Sequence, residues 1–236
     1  MQSFEHRLVD ALGDARGVEA ADRLCEVCVG IFDVDAAAVS LVFDGANVGT
    51  FGASSPQARE YDELQFIVGE GPCLDSVATR APVVVTDLAH PDERRWPAYG
   101  PVMMGYKIRG VCAIPVVLAG EYVGALDFFR AVPGSPAADQ IAEMVVAAEL
   151  IQLPLLDLLD GDLQSALADP EGDAWAELNA FSRTEVSQAT GMLMSQLNVD
   201  ASTALARLRA HAYVTGRSAT AVARDILDRR VEMEAN

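Results

Sequence analysis

Apolar residues along this 236-residue chain recur at helical spacing near both ends and at strand spacing in the middle. Leu8 and Leu12, then Ala20, Leu24, Val27, Cys28 and Ile31, mark a helical region from about Phe4 to Phe32, which Gly13 and Gly17 divide in two. AAAVSLVF and NVGTFGAS flank Asp44-Gly45 and predict a β-hairpin. Pro56 to Gln65 predicts a short helix, and Pro72 opens another with Cys73, Leu74 and Val77 on one side. PVVVTDL reads as a strand, followed by a long connection with a short helix at Tyr99 to Met104. RGVCAIPVVL and EYVGALDFFR meet at Ala119-Gly120 as a second hairpin, in which Pro115 fits an edge or a bulge. Helical spacing resumes at Pro136 and runs to Leu153. This order predicts an antiparallel sheet with helices on its faces.

From Phe181 onward the punctuation changes. Ser182 and Glu185 form a capping box, and Val186, Ala189, Leu193 and Leu197 follow on one stripe, so a helix is predicted to start there. Asp200 is placed to cap a second helix with Ala201, Leu205, Leu208 and Ala212 on one face, and Gly216 stands at its stop. Ser218 caps a third, whose face is Val222, Ala223, Ile226, Leu227 and Arg230. None is long enough to be stable alone, so they must pack as a bundle. Ahead of them Leu155, Leu156, Leu158, Leu159 and Leu163 make a stripe too apolar for a solvated linker. It predicts a seam with a second copy of the chain, the alternative being a fold back onto its own N-terminal domain.

Charge separates the two parts. Net charge is −18, yet residues 1–174 hold 10 Lys/Arg against 28 Asp/Glu, while residues 175–236 hold 7 of each. A neutral C-terminal part puts any nucleic-acid contact on local arginines rather than a broad positive field. The N-terminus lacks a signal-peptide pattern, and Glu149, Pro154 and Asp157 interrupt the most apolar stretch, so the expectation is a cytoplasmic protein with no membrane span. The 4 cysteines are expected as reduced thiols, with Cys25 and Cys28 as buried small hydrophobes rather than a metal site. His6, His90 and His211 lie in different elements without ligand or nucleophile spacing, so no metal and no enzyme activity is expected. Asp87 ends an apolar strand, but the only lysine is Lys107, followed by Ile108, which excludes a phospho-receiver. Gly69 to Pro72 is read as a structural turn in preference to an anion site, because Glu70 stands in it.

Two resemblances can be named on these residues. QATGMLM, ALARLRAHA and VARDIL, at these separations, resemble the ANTAR domain, a three-helix RNA-binding module of transcription antiterminators. VGEGPCLD, RWPAY and RGVCAIPVVLAGEYVGAL resemble a GAF domain, a small-molecule sensor and dimerisation module. Together they imply an α+β chain: a GAF-like antiparallel sheet flanked by helices over 1–154, a helical linker over 155–180, and an all-α three-helix ANTAR-like domain over 181–236. No cofactor is assigned, since the fold serves cyclic nucleotides, haem, tetrapyrroles or nothing.

The resemblance implies RNA contacts among Arg183, Gln188, Thr190, Arg207, Arg209 and Arg217, with His211 and Tyr213 as groups on which bases can stack. Thr190 stands where many family members have lysine. Arg209 sits beside the apolar stripe and can equally buttress the bundle; Arg217, in the turn after Gly216, is the more exposed. Gly191 inside a helix costs about 1 kcal/mol against alanine, which predicts a close approach there, of a neighbouring helix first and of RNA second. The expected function is a signal-responsive RNA-binding antitermination regulator, a homodimer whose partners are leader-transcript stem–loops and a small molecule on the GAF-like domain. A DNA-binding helix-turn-helix and a sensor that acts only on a protein partner are the alternatives.

Overall fold

The computed structural model describes residues 4–43, 45–158 and 173–233. Helices α1 (Phe4–Leu12) and α2 (Gly17–Phe32) lead into strands β1 (Ala36–Phe43) and β2 (Ala46–Ala53). After them come α3 (Pro56–Val68), α4 (Pro72–Thr79), β3 (Val83–Val85), α5 (Tyr99–Gly105), β4 (Gly110–Leu118) and β5 (Glu121–Arg130). The N-terminal domain closes with α6 (Ala138–Leu150) and α7 (Gln152–Leu158). The 5 strands form one antiparallel sheet in the order β2-β1-β5-β4-β3. Pro115 lies in β4 beyond the point where the short β3 stops pairing, at Ala113, so its missing N–H breaks no ladder bond.

Alternation along β5 divides the core. Leu126 and Phe128 face α1, α2, α6 and α7, and Phe129 faces α3 and α5 on the other side. Cys25 and Cys28 lie fully buried in the first layer, and burial pushes the Cys28 thiol up to about 12, so both serve as packing groups.

Two expectations change. Leu155 is buried in this first layer and Leu156 packs against it, so here the chain folds back on its own domain. Asp157 fastens that return: its carboxylate accepts from Gly17 N–H at 3.3 Å and pairs with Arg16 at 3.3 Å, at the positive end of α2. Leu155 is therefore no seam residue, while Leu159 and Leu163 lie outside the described residues. The second change is the start of the bundle. Its first helix, α8, runs unbroken from Asp173 to Leu197, so Ser182 lies within it and not at its start. Glu185 accepts instead from Arg224, at 2.9 Å.

The other end signals hold. Asp200 caps α9 (Ala201–Thr215) by accepting from Thr203 N–H at 2.7 Å, and Gly216 ends it with φ of 62°. Ser218 caps α10 (Ala219–Leu227) by accepting from Ala221 N–H at 3.1 Å. Val186, Ala189, Leu193 and Leu197 meet Ala204, Leu208, Ala212, Val222, Ala223 and Ile226 in a core of small and branched aliphatics. Ala201 is exposed, and Ala204 takes the inward position expected of it.

Candidate nucleic-acid interface

The bundle core does not close on itself. Phe66 and Ile67 of α3 complete it, at 4% and 8% exposure. The Arg209 guanidinium lies over the Phe66 ring, 4.2 Å from its centroid. Glu63 of α3 accepts from Ala219 N–H at 2.8 Å, placing a carboxylate on the positive N-terminus of α10. Arg209 thus reaches from the bundle to the N-terminal domain.

A groove of about 500 Å³ remains beside this contact, with Glu60, Glu63 and Tyr106 on one wall and Tyr213, Val214 and Arg217 on the other. Tyr213 is 48% exposed and Val214 is 82% exposed, so the second wall presents an aromatic ring and a bare aliphatic to solvent. His211 is half-buried, and its carbonyl accepts from the Thr215 hydroxyl at 2.7 Å.

Arg217 is less available than its turn position predicts. It pairs with Asp225 at 2.6 Å and ties α9 to α10. Arg230 shares Asp225 at 2.6 Å and also pairs with Asp228. Hydrogen bonding from Arg217 holds the Asp225 carboxyl below its usual range, as Arg224 does for Glu185 and Thr203 N–H for Asp200. Arg207 is half-buried, and the Arg183 side chain lies outside the described residues.

On α8 the Thr190 hydroxyl donates to the Val186 carbonyl at 2.7 Å, which spends its donor within the helix. Gln188 is exposed. Gly191 is exposed too, and a Cβ there would meet nothing within 4 Å. Among the described residues no neighbouring helix needs this glycine, against the first expectation; it leaves a strip of bare backbone on the open face of α8.

The N-terminal domain holds two further features. A surface cleft of about 700 Å³ is lined by Glu70, Leu74, Arg80, Arg95, Trp96 and Tyr122. Arg80 lies 5.4 Å over the Tyr122 ring and Arg95 4.3 Å over Trp96. Glu70 is structural, accepting from Ala98 N–H at 2.6 Å and Tyr99 N–H at 3.0 Å at the start of α5. Gly71, with φ of 151°, leaves room for the Gln65 side chain, which accepts from Cys73 N–H at 2.8 Å. The turn from Gly69 to Pro72 thus works as a structural turn.

The second feature is a buried polar cluster that reasoning from the sequence did not isolate. Ser40, Asn47, Asp62, Gln65, Ser76 and Asp127 are at most 1% exposed. Ser40 and Thr50 hydroxyls donate to Asp62, Asn47 donates to Ser40 at 3.2 Å, and Gln65 donates to Asp127 at 2.6 Å. Cys73 joins them, 3.6 Å from Asn47 Nδ2, with Ser76 donating to its carbonyl at 2.9 Å. Burial first, and then the charge of Asp62, push the Asp127 carboxyl well up. The available signal was one acid inside the apolar run ALDFF; Asp62, in the polar stretch of α3, gave none.

Comparison with known proteins agrees with this division. Residues 18–152 match the GAF domain and residues 179–227 the ANTAR domain. Among solved structures, the GAF domain of a phosphoenolpyruvate-protein phosphotransferase from Coxiella burnetii aligns at 16% identity and TM-score 0.51, covering 69% of this chain and 95% of that one. The corresponding domain from Acinetobacter aligns at 12% identity and TM-score 0.50, covering 71% and 98%. At such identity these share the fold alone. No curated protein matches the chain.

Proposed function

The chain belongs to the GAF family and carries an ANTAR domain behind it; on that premise we propose that it is a signal-responsive RNA-binding regulator of transcription antitermination. In this reading the sensor unit is 1–154, the connector 155–180 and the RNA-binding unit 181–236. The bundle holds stem–loops of a leader transcript so that a terminator hairpin does not form.

The observation that carries the reading is the open face of α8. Gln188 and Gly191 stand exposed on it, with space above the glycine for a nucleic-acid backbone, while the opposite stripe is sunk in the core. With a balanced charge and with Arg217, Arg224 and Arg230 paired to carboxylates, the bundle lacks the field that draws duplex DNA, which favours a shaped RNA target.

The signal acts through α3. Its outer face carries Glu63, Phe66 and Ile67, which hold the bundle through Ala219 and Arg209. In this docked arrangement Arg209 is occupied, and Glu60 and Glu63 face the α9–α10 turn, where they repel phosphate. A small molecule in the Arg80–Trp96 cleft that binds the undocked arrangement more tightly shifts the chain toward it. Two copies in a homodimer present two bundles to paired stem–loops at high effective concentration. Among the described residues no helix is long and apolar enough to cross a membrane, which supports action in the cytoplasm.

In vitro transcription through a leader captured by crosslinking to the protein tests this. Readthrough is expected to rise with protein added; equal readthrough with and without it overturns the proposal.

A further inference from the structure

All the buried polar and charged side chains among the described residues meet in one place, between the sheet and helices α3 and α4. Within that cluster one oxygen of Asp62, one oxygen of Asp127 and the sulfur of Cys73 lie within 4.8 Å of one another. Each comes from a different element, α3, β5 and α4, so the grouping is tertiary.

A hydrogen-bond network would leave such groups satisfied, and this one does not. Asn47 Oδ1 and Asp127 Oδ1 are buried acceptors with no hydrogen-bond partner. Asn47 is 1% exposed and its amide nitrogen faces Ser40 and Cys73, so turning the amide over brings the unpartnered oxygen onto the cluster. Unsatisfied acceptors beside two clustered carboxylates destabilise a core, whereas a cation draws on all their lone pairs at once.

We propose that Asp62, Cys73 and Asp127, with the Asn47 amide oxygen as fourth ligand, bind one first-row divalent transition-metal ion. Oxygen donors alone would suit magnesium or calcium; the sulfur shifts the preference to the zinc, cobalt and iron(II) class. Tetrahedral coordination at metal–sulfur and metal–oxygen distances of about 2.3 and 2.1 Å sets ligand atoms about 3.5 Å apart. The cluster reaches that by closing a little over 1 Å at most, a rotamer-scale adjustment. Gln65, bonded to Asp127 and to Cys73 N–H, orients two of the ligands from outside. The site stands independently of the RNA-binding reading, because its test involves no nucleic acid.

The full chain, stripped of metal by a chelator under reducing, denaturing conditions and refolded with excess Co²⁺, tests the site. After gel filtration we expect about one equivalent of retained cobalt and a thiolate-to-cobalt charge-transfer band in the near ultraviolet. Cys73→Ser should lose the band, Asp127→Asn the retained cobalt, and Cys112→Ser, another buried thiol, should keep both. Refolding with Zn²⁺ should raise the melting temperature of the wild type and leave Asp127→Asn unchanged. Wild type that retains no cobalt and shows no band overturns the site and leaves the two carboxyls sharing a proton. So does a band that survives in Cys73→Ser. If Asp127→Asn fails to fold, the wild-type cobalt content and the Cys73→Ser spectrum still decide.

Discussion

The core of the GAF domain encloses Ser40, Asn47, Asp62, Gln65, Ser76 and Asp127, whereas every described buried side chain of the ANTAR bundle is Val, Ala, Leu or Ile. A buried polar group without a partner costs on the order of 1–3 kcal/mol, and most of these six are bonded to one another. The bundle has no such interior. Its polar chemistry lies outside, in carboxylate–arginine pairs and in the exposed strip around Gly191. One domain keeps polar groups in its interior and the other carries them on its surface. Helix α3 belongs to both, with Asp62 and Gln65 turned inward and Glu63, Phe66 and Ile67 toward the bundle.

The strongest break of this comparison is a polar group placed in the bundle core. Leu208→Asn removes a fully buried leucine and leaves an amide without partners, and should destabilise the bundle by about 3 kcal/mol or more. Urea unfolding followed by helical circular dichroism should show an early transition for the bundle with the sensor transition retained. A single unshifted transition would mean that the bundle tolerates polarity as the sensor does.

Arg209→Ala separates the two roles open to that residue. As the pin over Phe66 it contributes roughly 0.5–2 kcal/mol to docking, so its loss should raise RNA affinity by about 2- to 30-fold. A fall in affinity, measured by filter binding, would return Arg209 to the contact residues.

Gly191→Ala should raise helix stability by up to about 1 kcal/mol, because the new methyl meets open space. RNA binding should weaken in the same protein, since the methyl stands where the backbone would lie. A higher melting temperature with unchanged affinity would place the RNA on another face.

The smallest effect concerns the surface pairs. Asp225, Glu185 and Asp200 have carboxyls held below their ordinary ranges by Arg217, Arg224 and Thr203 N–H. Groups depressed on folding stabilise the bundle fully above their unfolded values, about 3.9 for Asp and 4.3 for Glu, and that stabilisation is lost as pH falls through the lower folded values. Melting of the bundle should therefore be flat from about pH 7 to 5 and decline below about 4. Arg217→Ala should lower the melting temperature only slightly, since solvent screens an ion pair at the surface.

Local punctuation was legible in the sequence because it is local. Asp200, Gly216 and Ser218 end or start helices through groups three or four residues away, and the β4–β5 hairpin is set by Ala119-Gly120. The Ser182–Glu185 signal failed for the same reason. Nothing from Asp173 to Leu197 breaks a helix, and the capping pattern looks the same whether a helix begins there or passes through. The site was less legible still. Arg209 meets Phe66 and Glu63 meets Ala219 across the two domains, and no periodicity in either segment records its partner. Asp127 was visible only as one acid in an apolar strand, which reads equally as an exposed edge until β1 and β4 are seen on either side.

In the proposed regulator the bundle is held on the N-terminal domain through the outer face of α3. The most direct measurement compares wild type with Phe66→Ala for binding to a captured leader RNA with two stem–loops and to duplex DNA of the same sequence. Removing the Phe66 ring takes away the surface under Arg209 and opens the bundle core at its contact with α3. Both proteins should prefer the RNA, and Phe66→Ala should bind it about tenfold more tightly or better. Equal affinity of the two proteins for the RNA, or no preference for RNA over duplex DNA in either, would contradict this.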